Sequence, residues 1–340
     1  MKKIFFIFLM LCTLPMNGQS KTAVYWTAPT LVEGALRAKD NLLILDLENL
    51  KNNPEIIKKL KIDNPDLKIL IYSNPMEIWS KETNDRPLMN KFRLVVPKEF
   101  LLKTSQGKNV VFWPNMLMMN MSADCPKIKG KNYVQYYADW LLNNILNDSL
   151  NLIDGYFQDN STATIDWVNP MIDGNNDKKP DQPLSLNNRW RTGMVDFIKL
   201  IRQAKGNDFI IITNKGEKSF FFLNNGVMFE RFPNDYLGSK LAKGWYQCLL
   251  NASQAGPYTV FQVDYNHLEF GVASSLLLDN VFIAVGQNMQ IPEKFRIPTG
   301  KPLGQAYQKN GLHYRDYEFI TVEVNPVTQN GRLVKRVKTP

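Results

Sequence analysis

Histidine is nearly missing from this sequence: His267 and His313 are the only two in 340 residues. The shortage excludes HExxH zinc sites and His-rich metal sites, and any Ser-His-Asp triad would depend on one of those two rings. Carboxylate chemistry survives the exclusion. Cysteine is scarce too, three in all. Cys12 falls in the leader discussed next, and Cys125 and Cys248 allow either one disulfide or two buried free thiols in a domain of this size. No glycine-rich phosphate loop follows the first predicted strand, no Walker sequence occurs, and no other cofactor motif is present, so none is expected. No linker rich in Pro, Gly or Ser divides the chain. Beyond the opening segment, no apolar run approaches the ~20 residues of a membrane helix.

The opening, MKKIFFIFLMLCTLPMNGQS, places Lys2 and Lys3 before an apolar run and small residues at Gly18 and Ser20. That is the pattern of a secretory signal peptide over residues 1–20, and the expectation is an exported protein. Leu11 rather than a small residue precedes Cys12, against a lipoprotein. The formal charge of +9 includes the two leader lysines, which leaves 39 basic and 32 acidic residues, or +7. The excess is scattered over presumed helix faces and a last cluster at Lys335, Arg336 and Lys338, so it reads as solvated surface, with no motif for nucleic acid.

From Lys21 onward, strand-like and helix-like runs alternate. Strands are predicted at Ala23 to Trp26, Asn41 to Asp46, Lys68 to Ser73, Ile153 to Phe157, Phe209 to Thr213, Gly226 to Phe232, Tyr258 to Val263 and Val281 to Val285. Runs such as NLLILD and VFIAV are apolar without alternation, as parallel strands covered on both faces are. Helical spacing falls between them, opening at Pro54, over Tyr133 to Leu146, Leu186 to Ala204, near Asp235 to Ser253, and over His267 to Leu278. Eight such strands with helical connections define an α/β chain and a (β/α)8 TIM barrel over residues 21–290; an open doubly wound sheet is the rival, and it lacks its usual phosphate loop. A Met- and Trp-rich excursion, 76–129, and a second, 166–183, interrupt the pattern. Residues 291–340 form a C-terminal extension, in which YRDYEFITVEVNP alternates enough for a small β appendage.

In a parallel barrel the carboxyl ends of the strands face the loops that form the pocket. The stretch NLIDGYFQDNS, 151–161, delivers Asp159 to such an end and makes it the first candidate; the alternative is an Asx residue capping a loop. Asp46 and Glu48 follow strand two, Asn74 strand three, Asn214 strand five and Asp264 strand seven. Glu230, in MFERF on strand six, stands among bulky apolar side chains, where burial favours the protonated form and a general-acid role, or else it pairs with Arg231. Two carboxylates flanking a scissile bond are what glycoside hydrolysis requires, and Asp159 with Glu230 is the pair selected. Strands four and six are not neighbours, which leaves a gap for a sugar ring. Trp26, Trp79, Trp113, Trp167, Tyr156 and Phe232 lie near the expected mouth, and about half should face a ligand, since sugars stack on aromatic rings. Asp173, Asn175, Asp177 and Asp181 have the spacing of a calcium loop, but Lys178 and Leu184 replace its glycine and glutamate, so a solvated Asx-rich turn is expected.

The segments DGYFQDN, FIIITN, GVMFERFP and the tail LHYRDYEFITVEVNP together resemble the TIM-barrel glycoside hydrolases grouped as hypothetical glycosyl hydrolase family fifteen. The resemblance implies a pocket at the strand ends, a polysaccharide or glycoconjugate substrate, and acidic residues ending strands four and six. Those map onto Asp159 and Glu230, with Asp154 in a supporting role. From the strand ends and the mouth aromatics themselves, Asp46, Glu48, Asn74, Trp113, Asn214 and Asp264 are the substrate-binding candidates, Asp46, Glu48 and Asp264 either binding substrate or tuning the pair. Strand four is also similar to the DGxDxDxE signature of chitinase-like barrels, but Phe157 and Ser161 replace its middle Asp and its Glu. A glycan-binding barrel without catalysis, and a structural partner in a surface complex, are the rival classes.

Overall fold

The computed structural model describes residues 20–31, 39–147, 152–215, 218–233 and 241–336. The expected leader, Ser20 apart, and the helical start near Asp235 lie outside the described residues. Eight strands form one parallel sheet: β1 (Ala23–Trp26), β2 (Leu42–Asp46), β3 (Lys68–Ser73), β4 (Gly155–Gln158), β5 (Ile210–Asn214), β6 (Gly226–Phe229), β7 (Thr259–Val263) and β8 (Val281–Val285), paired in chain order. A parallel bridge from Thr22 to Ile283, with the Ile283 N–H donating to the Lys21 carbonyl at 3.0 Å, brings the last strand back to the first. The sheet is thus a nearly closed barrel, and the doubly wound rival falls.

Two strands depart from the predicted runs by two residues or more at one end. β4 begins at Gly155 because the Asp154 carboxylate is engaged sideways, by the Ile69 N–H at 2.8 Å and by Lys61 at 2.6 Å. A Cβ on Gly155 would lie 2.2 Å from the Ile210 carbonyl, so only glycine admits β5 there. β6 stops at Phe229 because Glu230 enters a turn and Arg231 takes a left-handed φ of 50°.

Helices α1 (Pro54–Asp63), α2 (Pro87–Val95), α3 (Tyr133–Asn144), α4 (Pro183–Lys205), α5 (Leu241–Gln254) and α6 (Leu268–Leu276) cover the barrel. Proline at the first turn starts α1, α2 and α4, where its missing N–H costs nothing, and a reciprocal Asn132–Gln135 capping box starts α3. Between β5 and β6 the described chain has only a 3-10 turn, Lys218–Phe220. The Met-rich excursion pairs Glu77–Trp79 with Met116–Met118, and it buries Met118, Met119 and Met121 completely, so those three are packing.

The C-terminal extension is a four-stranded antiparallel sheet, β9 (Tyr307–Lys309), β10 (Leu312–Asp316), β11 (Ile320–Asn325) and β12 (Asn330–Lys335). Ile320, Val322 and Val324 alternate inward and share one apolar core with α5, α6 and β6 to β8. α6 is therefore covered on both sides, and every residue of it except Glu269 is buried. The Tyr317 hydroxyl donates to the Leu276 carbonyl at 2.6 Å and ties the sheet to the end of α6.

Candidate active site

Side chains of a strand alternate in direction, so each barrel strand sends every second residue inward. The interior is filled by Ala23, Tyr25, Leu42, Ile44, Leu70, Phe157, Ile210, Ile212, Met228, Val260, Phe282 and Ala284. Counting on by two from these positions gives Asp46, Tyr72, Asp159, Asn214, Glu230 and Gln262. The apolar floor is thus succeeded, toward the carboxyl end, by a polar layer. Tyr72 and Gln262 belong to this layer although the motif reading passed over them; the same parity would have found both.

Asp159 and Glu230 meet through Asn214. The Asn214 Nδ2 donates to Asp159 Oδ1 at 2.8 Å and to Glu230 Oε2 at 3.1 Å, from a side chain only 1 % exposed. The two bond lengths end to end cap the separation of those oxygens at about 5.9 Å, and the ~120° of an amide NH2 gives about 5.1 Å. The gap between strands four and six is therefore not empty: β5 puts an amide across its floor. Asp159 also accepts the Tyr72 hydroxyl at 2.6 Å and the Asn160 N–H at 2.7 Å. Burial, and then the negative charge of Asp159, hold the Tyr72 phenol well above its usual pKa, so it stays a donor.

The residues just beyond this trio share a rare backbone. Asn160, Lys215 and Arg231 have φ of 49°, 79° and 50°, in the left-handed region that non-glycine residues seldom occupy. Each turns the chain sharply after a polar side chain has been delivered inward. The Asn160 and Lys215 N–H groups fold back onto the Asp159 and Asn214 oxygens, both at 2.7 Å. Strain repeated at three adjacent strand ends points to a functional surface.

A cavity of about 470 Å³ opens over the trio and is lined by Asp46, Tyr72, Asn74, Asp159 and Glu230 together with Trp79, Arg86 and Trp113. Asp46 pairs with Arg86 at 2.9 Å, yet burial outweighs the guanidinium and its carboxyl titrates above the usual range. Glu77 is a fourth carboxylate of the cavity wall, one that the motif reading missed. It is 1 % exposed and accepts from Asn74 at 2.9 Å, from Asn160 at 3.2 Å and from the Trp113 N–H at 3.2 Å. Burial raises its pKa, against the pull of the Trp113 and Asn74 donors. Arg86 and Glu77 come from the 76–129 excursion, where no strand parity applies.

Three predicted binding residues stand elsewhere. Glu48 is fully buried, and its two oxygens accept the Leu88 and Met89 N–H groups at 2.9 and 2.8 Å, capping the start of α2. Asp154 precedes β4 and therefore sits at the opposite, amino end of the barrel, with Lys61 and Lys68. Asp264 follows β7 but is exposed, where the chain turns into a 3-10 segment, and it does not line the cavity. Among the aromatic candidates, Trp79 and Trp113 line the cavity, Trp167 is exposed beside it, and Trp26, Tyr156 and Phe232 are packed inside. In the Asx-rich loop, Asp173 accepts the Asp177 and Lys178 N–H groups and Asp181 accepts the Gly174 N–H, so those carboxylates hold the loop itself. Cys125 and Cys248 are buried free thiols.

A parallel eight-stranded barrel with paired carboxylates at the carboxyl ends of strands four and six has the form of a glycosidase barrel. The model of the hypothetical glycosyl hydrolase family 15 matches residues 61–320, and the chain belongs to that family. Among curated proteins none matches the sequence significantly. The fold is similar to that of the maltogenic α-amylase AmyB from Thermotoga neapolitana, with TM-score 0.52 and 9 % identity over 91 % of this chain and 86 % of the amylase. It is also similar to the GH31 dextranase of Flavobacterium johnsoniae in complex with glucose, with TM-score 0.51 and 14 % identity over 82 % of this chain. This chain spans 37 % of the dextranase.

Proposed function

We propose that the protein is an exported glycoside hydrolase that cleaves a polysaccharide or glycoconjugate between Asp159 and Glu230. The observation that carries the reading is the single Asn214 amide shared by both carboxylates, which holds them side by side at the mouth of an open cavity. An oxygen separation of about 5 Å falls in the range of retaining enzymes, not the 6.5 to 9.5 Å that leaves room for an inverting water. Asp159, with three donors turned on it, suits the nucleophile. Glu230 then protonates the glycosidic oxygen as Asp159 attacks the anomeric carbon. The leaving sugar departs, and an ester to Asp159 forms. Glu230 next takes a proton from water, which attacks the same carbon and frees Asp159. Asn74, Trp79 and Trp113 contact the substrate, and Asp46 with Arg86 offers it a polar wall. Export rests on the leader pattern.

The test is proton NMR of the first product formed from a panel that begins with dextran and maltodextrins and extends to β-linked glycans. Release of a sugar with retained anomeric configuration is the expected result. An inverted product contradicts the close pair. Binding across the panel with no turnover of any member supports the glycan-binding rival instead.

A further inference from the structure

The cavity has an aromatic continuation that the catalytic pair does not use. Trp113 lines the cavity and is 55 % exposed. Its ring centroid lies 5.1 Å from that of Phe112, which lies 5.1 Å from that of Trp167, itself 49 % exposed. Both contacts are edge-on, at 61° and 86°, so the half-buried Phe112 serves as a wedge between two indoles. The rings are fixed rather than loose. Trp167 Nε1 donates to the Thr164 carbonyl at 3.0 Å, and at Trp113 the backbone N–H donates to Glu77 while the ring rests edge-on against Phe112. Lys215, directly after Asn214, places its ammonium 5.7 Å from the Trp167 ring. The ridge is thus anchored at one end to the cavity wall and at the other to the residue following the carboxylate bridge.

Large exposed rings in contact with one another are uncommon on a surface that has no partner. Rigid aromatic faces beside polar groups suit the apolar faces of sugar rings. We infer that Trp113, Phe112 and Trp167 form a subsite for further sugar units of a glycan chain whose scissile bond lies in the cavity. The inference rests on the glycosidase reading for its occupant. Trp167 is not among the residues that line the cavity, so a sugar ring stacked on it is a further unit beyond the one that the carboxylate pair holds. The substrate is accordingly a polymer bound over several units, not a single terminal sugar.

The test is native affinity electrophoresis of the chain in gels containing dextran, soluble starch, xylan or hydroxyethyl cellulose, with turnover measured on the same polymers and on aryl glycosides. At least one polymer should retard the wild type. Trp167→Ala should weaken that retardation roughly tenfold, the size of one good aromatic contact, and Trp167→Phe should restore most of it. Trp167 lies outside the catalytic pair and the cavity lining, so aryl glycoside turnover should stay unchanged. Equal retardation of the wild type and Trp167→Ala, or no retardation by any of the four polymers, overturns the subsite. Trp167-dependent retardation without hydrolysis of any substrate leaves the subsite standing and removes the catalytic reading. Hydrolysis of aryl glycosides with no effect of Trp167→Ala on any polymer does the reverse.

Discussion

Replacing Asn214 by aspartate changes one atom group at the centre of the site. The amide nitrogen that donates at 2.8 Å to Asp159 and 3.1 Å to Glu230 becomes an oxygen facing two oxygens. At an effective dielectric of 20, each such charge pair repels by on the order of 5 kcal/mol, so all three carboxylates cannot ionise together at neutral pH. Solvent at the half-exposed mouth screens part of this, and the acid limb of the activity profile should move up by about 1 to 3 pH units. Turnover at pH 7 should fall at least 100-fold, the usual scale for a displaced acid–base group. The stability change has a defined sign. A carboxyl whose pKa is raised by folding imposes no penalty below about pH 4, where it is protonated in both states. The penalty then grows by about 1.4 kcal/mol per pH unit until the folded pKa is passed. Urea denaturation at pH 4 and pH 7 should therefore show a deficit that appears only at the higher pH. Asn214→Ala removes the same donor without adding charge, and it should lose turnover without that pH dependence. Identical denaturation midpoints for Asn214→Asp and the wild type at pH 7 would refute the placement of this amide between the carboxylates.

Glu48→Ala should lower stability by about 1 to 3 kcal/mol, through the two N–H groups it leaves unpaired at the start of α2, with KM unchanged. Asp154→Asn should likewise reduce the denaturation midpoint without altering the pH profile of turnover, because its ion pairs with Lys61 and Lys68 lie at the far end of the barrel. Burial pushes the Cys125 thiol up to about 11 and the Cys248 thiol up to about 12. Both should resist a disulfide exchange reagent at pH 8 in the native protein and react once it is unfolded in guanidinium, whereas rapid native reaction would contradict their burial.

The barrel was legible because its strands are buried on both faces, and continuous apolar runs such as LLILD and VFIAV have few other uses. The site was legible where a strand ends on an inward position: Asp46, Asn74, Asp159, Asn214 and Glu230 all keep the parity of the residues two before them. Glu48 breaks that rule because it lies beyond the end of β2, where the chain has left the sheet and its carboxylate meets the free N–H groups of a neighbouring helix. Asp154 fails for a directional reason: a residue before a strand lies at the closed end, whatever its chemistry. Asp264 keeps the parity and, like Asn74, Asp159 and Glu230, follows the last residue of its strand, but it is exposed where the chain turns at once into the 3-10 segment Tyr265–His267, a turn that the parity of β7 does not announce. Glu77 and Arg86 were illegible for a different reason. They reach the cavity from a long excursion whose path is set by packing of Met118, Met119 and Met121, and no local periodicity announces it. The C-terminal strands were readable from alternation, but their seat on α6 was not, because it depends on a helix whose outward face is apolar.

The most direct measurement of the central claim is turnover and glycan binding in parallel for the wild type, Asp159→Asn and Glu230→Gln, on the first glycan of the panel that the wild type cleaves. If these carboxylates are the pair, each variant keeps its affinity within a few-fold while turnover falls by at least 100-fold. Added azide should then restore turnover of an activated aryl glycoside in Glu230→Gln, giving a glycosyl azide with retained configuration. Near wild-type turnover in either variant would contradict the assignment and send the search for the reacting carboxylates to Asp46 and Glu77.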